Sequence, residues 1–449
     1  MDTTAIFKAY DVRGTYPDQI NERIVRALGS AFADFVQAGP IIVARDMRLS
    51  GVTLCEAFAE GVRVRGVEVI DLGLASTDFL YFASGFLNAP GAMFTASHNP
   101  AQYNGIKLTQ ASAKPIGVES GLAEIEAATK RYDDHPAEGP LAKYSTRDLM
   151  DEWARHVHGF VDLSLLRPLK VVADTANGMG GFVAPRIFAG LPFAVELMYE
   201  ELDGTFPNHP ADPLNPANLV DLQRRVLEAG ADVGLAFDGD ADRVFLIDEK
   251  AQLISGSTTT AMVAQSMLAR HPGATILYNV ICSKSVPEVI AEGGGVGVRT
   301  RVGHSYIKQV MAETGAVFGG EHSGHYYFRD NYRADSGIIT ALVVLELLSV
   351  FDGPLSKLVE PFQRYADSGE INTRVSDPQA TVERVASALG PLAMSVDRLD
   401  GLTLDFGSWW FNLRASNTEP LLRLNVEASG PQELATHVDE VLAMMKENR

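Results

Sequence analysis

One pattern of apolar and polar positions recurs along the chain. A short β-branched run is followed by a polar or glycine turn, then by apolar residues at helical spacing. Ile41-Ile42-Val43-Ala44 leads through Arg45-Asp46 into residues 54–62. Leu169-Lys170-Val171-Val172-Ala173 leads into Asp174-Thr175-Ala176-Asn177-Gly178-Met179-Gly180, and Thr275-Ile276-Leu277-Tyr278 leads through Asn279 into residues 286–291. Strands alternating with helices predict an α/β architecture with largely parallel pairing. The units lie a little over a hundred residues apart, which predicts at least three related modules. Past residue 366 the pattern changes to a strand at 371–375, a helix at 380–389, further strands and a last helix at 432–446, an α+β module. The polar, proline- and glycine-bearing stretch 132–140 marks a boundary near 145, the turn Asp248-Glu249-Lys250 one near 250, and the polar stretch 365–370 one near 366. The expected domains are therefore 1–145, 146–250, 251–366 and 367–449.

Composition narrows the function. The 449 residues carry 38 basic and 57 acidic side chains, a formal charge of −19, with 46% hydrophobic residues. That is ample material for cores, and the acidic balance argues against nucleic acid or an anionic membrane as partner. Two cysteines, Cys55 and Cys282, are too few for a disulfide framework or a cysteine zinc site. The most apolar stretch, 337–351, is shorter than the roughly 18–20 residues of a membrane span and is interrupted by Glu346. A buried helix capped by Asp335 or Ser336 is the better reading. With no basic, then apolar, leader at the start, the expectation is a soluble cytoplasmic protein.

Four loops carry chemistry. In Phe237-Asp238-Gly239-Asp240-Ala241-Asp242-Arg243, three carboxylates at i, i+2 and i+4 can converge on one hard cation, with an arginine beside them to meet a phosphate. An EF-hand needs glycine where Arg243 stands and helices where the flanks read as strands. A dehalogenase-type phosphotransferase would use Asp238 as nucleophile and Asp240 as acid/base, but usually carries Thr or Val at the place of Asp242. The second loop is Thr95-Ala96-Ser97-His98-Asn99-Pro100, followed by Asn104-Gly105-Ile106-Lys107. Ser97 lies on a turn and lacks the glycines of a serine-hydrolase elbow. The third, Gly319-Gly320-Glu321-His322-Ser323-Gly324-His325, offers an acceptor and a donor suited to sugar hydroxyls; Arg301-Val302-Gly303-His304-Ser305 precedes it. The fourth, Arg414-Ala415-Ser416-Asn417-Thr418-Glu419-Pro420 with Arg423 beyond, gathers donors for an oxyanion.

With the opening Phe7-Lys8-Ala9-Tyr10-Asp11-Val12-Arg13-Gly14, these loops resemble, in order and over nearly the whole chain, the α-D-phosphohexomutase family, in particular its bacterial phosphomannomutase/phosphoglucomutase branch. The resemblance implies three related α/β domains with mixed sheets and a C-terminal α+β domain like the TATA-binding-protein fold, set around a central cleft. It implies Ser97 as a catalytic phosphoserine, with Asp238, Asp240 and Asp242 binding Mg²⁺ together with its phosphate, and Arg243 steadying the transferred group. Glu321, Ser323 and His325 would meet the sugar. Arg414, Ser416, Asn417, Thr418 and Arg423 would hold the phosphate that is not reacting. Tyr10, Arg13, Lys107 and His304 match cleft positions, Lys107 or His304 being assigned to proton transfer. The implied reaction interconverts hexose 1- and 6-phosphates through a hexose 1,6-bisphosphate, which also serves as activator. His322 and Asn417 point to mannose or glucose rather than to the glucosamine branch, whose phosphoglucosamine mutases are the alternative. A non-catalytic sugar-phosphate sensor and the dehalogenase-type enzyme are the competing classes. A monomer or homodimer without nucleic-acid or membrane partners is expected.

Overall fold

A computed structural model describes residues 5–415 and 421–446. The chain forms two compact units, Met1–Ser255 with Ser323–Leu358, and Gly256–His322 with Val359–Arg449.

The first unit contains two mixed sheets. One runs in the order Val12–Thr15, Tyr103–Gln110, Gly91–Phe94, Ile41–Arg45, Val69–Leu74, Tyr144–Thr146. Its last four strands pair in parallel, as the β-branched runs predict, whereas Tyr103–Gln110 is antiparallel to both Val12–Thr15 and Gly91–Phe94. Helix Glu22–Val36 buries Ile24, Val25, Leu28 and Phe32 on one stripe, and Asn21 caps it by accepting from the Ile24 N–H. That stripe joins Leu54, Phe58 and Val62 of helix Gly51–Arg63 in one core; each such side chain contributes about 1.5–3 kcal/mol on burial. The other sheet runs Leu253–Ile254, Val244–Asp248, Val233–Phe237, Lys170–Asp174, Ala194–Met198, parallel in its last three strands and antiparallel in the rest.

Each sheet thus switches from parallel to antiparallel pairing once along its strand order, and each switch carries a motif. Ser97 lies between antiparallel strands Gly91–Phe94 and Tyr103–Gln110. The three aspartates lie in the hairpin closed by Phe237 and Val244.

The apolar stretch after Ser336 is the helix Gly337–Val350, buried almost throughout, with the Ser336 hydroxyl accepting from the Ile339 N–H. Glu346 is buried, and its carboxylate accepts the backbone N–H of Asp162 at 2.7 Å, which offsets part of the cost of burying it. No single helix among the described residues is long and apolar enough to cross a membrane.

In the second unit, strands Thr275–Asn279, Val296–Thr300 and Phe318–Gly320 pair in parallel. The C-terminal segment is a fully antiparallel sheet, in the order Ala366–Arg374, Leu421–Ala428, Trp409–Ala415, Leu402–Asp405, Ser395–Asp397. Helices Pro378–Leu389 and Pro431–Met445 supply Val385, Leu389, Val441 and Met445 to its core. This is the α+β module expected after residue 366.

Candidate active site

Ser97 sits on the turn after Phe94 with φ of 49°, a left-handed conformation uncommon for any residue but glycine. The Thr95 hydroxyl accepts its N–H at 2.9 Å. Buried Arg48 donates to the carbonyls of Ser97 at 2.8 Å, Asn99 at 2.6 Å, Pro100 at 2.9 Å and Tyr103 at 2.9 Å. Its charge is met by buried Asp46 at 3.3 Å. One guanidinium therefore fixes the whole turn through its backbone. Gly105 and Gly239 permit close approach: a Cβ on Gly105 would lie 2.5 Å from the Val12 carbonyl oxygen, and one on Gly239 would lie 2.5 Å from that of Ser97.

That second approach brings the acidic hairpin against the serine. The Ser97 hydroxyl donates to Asp238 Oδ2 at 2.7 Å, and Arg243 donates through Nε to the same oxygen at 2.9 Å and through Nη2 to Ser97 Oγ at 3.3 Å. Arg243 also donates to His98 Nδ1. Burial, with Arg243 and Arg13 nearby, holds His98 well below its ordinary pKa, so it accepts as a neutral ring. Lys107, on strand Tyr103–Gln110, donates to Asp240 Oδ2 at 2.8 Å and Asp242 Oδ2 at 2.7 Å. Burial pulls its pKa down, but the two carboxylates outweigh that and hold it well above the ordinary value. Thr77 adds a hydroxyl bond to Asp240 Oδ2 at 2.6 Å.

The three aspartates are fully buried, and each presents a carboxylate oxygen within 4.8 Å of the others. Burial raises the pKa of Asp238 well above the usual carboxylate range despite Arg243, and the charges of Asp242 and Asp240 add to that rise. Burial acts the same way on Asp240, but Lys107 and Thr77 keep it low. Asp240 Oδ1 and Asp242 Oδ1 are buried without a hydrogen-bond partner among the described residues. Three buried carboxylates facing two cations, with two oxygens unbonded, fit a small divalent ion taking oxygen ligands. Such an ion would remove both the missing bonds and the repulsion.

His325 stands on the other side of Asp242, its Nε2 3.5 Å from Asp242 Oδ1 and 3.9 Å from Asp335 Oδ2. Its Nδ1 is 3.1 Å from the Ser323 hydroxyl, so Ser323 orients this ring. Arg13 pairs with Asp11 and donates to Asn99 Oδ1 at 2.6 Å, at the serine turn. Tyr10 is half-buried just before that strand.

In the second unit, buried Glu321 accepts from Asn279 Nδ2 at 3.1 Å and from the Gly303 N–H at 3.0 Å. It thereby ties its loop to the start of helix His304–Thr314, where a carboxylate is favoured. His322 lies 3.0 Å from the Ser257 hydroxyl, and burial lowers its pKa. Arg414 and Arg423 face each other on adjacent strands. Ser416, Asn417 and Thr418 lie outside the described residues.

The structure thus brings Ser97, Lys107, Arg243, the three aspartates, Arg13 and His325 into one cluster of the first unit. Arg48, Asp46, Thr77 and His98 belong to it and are absent from the sequence-derived set. The signals that point to Arg48, Asp46 and His98 are the charged pair Asp46-Met47-Arg48 directly after an apolar strand and a histidine beside the candidate nucleophile; Thr77 has none.

Four family models match the chain consecutively. Residues 4–136, 151–252 and 255–365 match α/β/α domains I, II and III described as phosphoglucomutase/phosphomannomutase, and residues 370–444 match the C-terminal domain of the same set. A protein of Xanthomonas campestris pv. campestris described as phosphohexose mutases is 41% identical over 447 residues, covering 99% of this chain and 100% of the relative. A phosphomannomutase of Escherichia coli K12 is 39% identical, covering 96% of each. The crystal structure of a phosphoglucomutase/phosphomannomutase family protein from Burkholderia thailandensis superposes with a TM-score of 0.90 at 33% identity, covering 99% of this chain and 98% of that one.

Proposed function

The chain belongs to the phosphoglucomutase/phosphomannomutase family, and from that premise we propose that it interconverts hexose 1- and 6-phosphates of mannose, glucose or both. The carrier is a phosphoserine at Ser97 and the intermediate a hexose 1,6-bisphosphate. The observation that supports this most is the Ser97 hydroxyl 2.7 Å from Asp238, beside two further buried carboxylates and Arg243.

In the first half-reaction the Ser97 Oγ–phosphorus bond breaks as an oxygen–phosphorus bond forms to the free sugar hydroxyl, whose proton passes to a base. The bisphosphate then turns end for end, and its other phosphate returns to Ser97, with the proton going back to the sugar oxygen. Mg²⁺ held by Asp238, Asp240 and Asp242 would spread the charge that collects on the phosphoryl oxygens. Arg243 is suited to follow the moving group, because it already bonds both Ser97 Oγ and Asp238. Lys107 serves as a charge in this reading, ion-paired with Asp240 and Asp242. We assign proton transfer to His325, oriented through Nδ1 by Ser323, in place of Lys107 or His304. Arg414 and Arg423, with Ser416, Asn417 and Thr418, hold the phosphate at rest, and Glu321 meets the sugar. The catalytic steps divide over domains bounded near 145, 250 and 366.

A coupled assay on mannose 1-phosphate, glucose 1-phosphate and glucosamine 1-phosphate, with hexose 1,6-bisphosphate as activator, tests the reading. Turnover of the first two, abolished in Ser97→Ala, is expected. Near-normal turnover in Ser97→Ala would overturn the phosphoserine, and turnover of glucosamine 1-phosphate alone would replace the sugar.

A further inference from the structure

Arg414 and Arg423 sit directly opposite each other on antiparallel strands Trp409–Ala415 and Leu421–Ala428. Like charges in that register repel. What lies between them is Glu370, from the neighbouring strand Ala366–Arg374. Its Oε2 accepts from Arg414 Nη2 at 2.7 Å, and its Oε1 is 3.5 Å from Arg423 Nη1.

The placement of Glu370 is built into the strand. The register of Ala366–Arg374 against Leu421–Ala428 shifts between Asp367 and Glu370. At the shift Gly369 takes a φ of 62°, its N–H bonds Asp367 Oδ1 at 3.0 Å, and the Ser368 hydroxyl accepts the Val426 N–H at 3.0 Å. A bulge of this kind re-aims the side chain that follows it. Glu370 then pairs with Asn425 across the strands, with Arg423 reached diagonally past Asn372.

We propose that Glu370 is a resident counter-anion that competes with the substrate's non-reacting phosphate for Arg414 and Arg423. This rests on the functional reading above. A phosphate arriving at these guanidiniums must displace the carboxylate or accept its repulsion, so ground-state affinity falls. The same competition assists the reverse event. The bisphosphate intermediate has to release its held phosphate in order to turn, and a carboxylate ready to take back both arginines lowers the cost of letting go. A residue that merely held the arginines in place would act in the opposite sense, because its removal would weaken phosphate binding.

The test separates these. Glucose 6-phosphate and mannose 6-phosphate are titrated into Ser97→Ala and into Ser97→Ala with Glu370→Gln by calorimetry, and KM and kcat are measured for Glu370→Gln and Glu370→Asp with Ser97 intact. Binding and KM are expected to tighten roughly two- to fivefold in the glutamine variant, the range spanned by partly exposed ion pairs, while kcat falls and the aspartate variant lies between. A dissociation constant that is unchanged or raised in the glutamine variant overturns the inference alone. A chain with Glu370 in place that binds neither sugar phosphate overturns the functional reading, and this inference with it.

Discussion

Replacing Arg48 by lysine isolates what the guanidinium does for the serine. Lysine keeps the charge opposite Asp46 but presents one ammonium where arginine presents a planar fork. The fork reaches four carbonyls, those of Ser97, Asn99, Pro100 and Tyr103, at 2.6–2.9 Å. An ammonium in that pocket reaches about two of them, and hydrogen bonds involving a charged group contribute about 1.5–3 kcal/mol each. The turn therefore loses about 3–6 kcal/mol of restraint before relaxation, against a Ser97 backbone held at a left-handed φ of 49°. A shift of about 1 Å at a reacting atom costs about a hundredfold in rate. Single-turnover transfer from hexose 1,6-bisphosphate to Ser97 should fall by about that factor in Arg48→Lys, with KM for hexose 1-phosphate changing less than about threefold. A rate within about twofold of the parent, in a variant that folds, would refute the claim that Arg48 positions the nucleophile.

Mg²⁺ should raise the melting temperature of the chain, by the equivalent of about 2.7 kcal/mol at a hundredfold excess over its dissociation constant. The rise should vanish in Asp240→Asn, and a rise that persists there would contradict the triad as the metal site. Lys107→Gln should lower kcat by at least about tenfold without moving the limbs of the pH–rate profile, because Lys107 acts as a fixed charge; loss of a limb would restore it as the base. His209 pairs with Asp174 at 2.9 Å, and although burial opposes protonation the carboxylate holds its pKa above the ordinary value. Its stabilising effect is complete below the unfolded pKa of about 6.5 and is lost as pH rises through the higher folded value. Thermal stability should thus decline across that interval, and His209→Gln, followed by melting at several pH values, should flatten the decline; an unchanged slope would contradict the pairing.

The parts of the site that were legible in the sequence are those written as contiguous motifs on turns. The three aspartates fall within one hairpin, and Ser97 within six residues closed by Pro100. Their chemistry is readable because the residue types and the spacing both belong to the site. Arg48 and Thr77 were not legible in that way. Arg48 acts on backbone carbonyls, which leave no trace in side-chain identity, and Thr77 reaches Asp240 from 163 positions away. Lys107 was visible as a residue but not its two partners, carboxylates more than 130 positions distant. In the fold, apolar runs and turns revealed the strands and the helix capped by Ser336. They did not reveal where pairing turns antiparallel, because a buried strand reads the same in either direction.

Everything in the proposed cycle depends on Ser97 carrying the phosphoryl group. The chain would be incubated with Mg²⁺ and hexose 1,6-bisphosphate, desalted, weighed intact and mapped by peptide mass spectrometry, before and after addition of glucose 6-phosphate. The expected result is the mass of a single phosphoryl group on Ser97, absent in Ser97→Ala and lost when the sugar phosphate is added. A phosphoryl group found on Asp238, or none on a chain that turns over substrate, would contradict it.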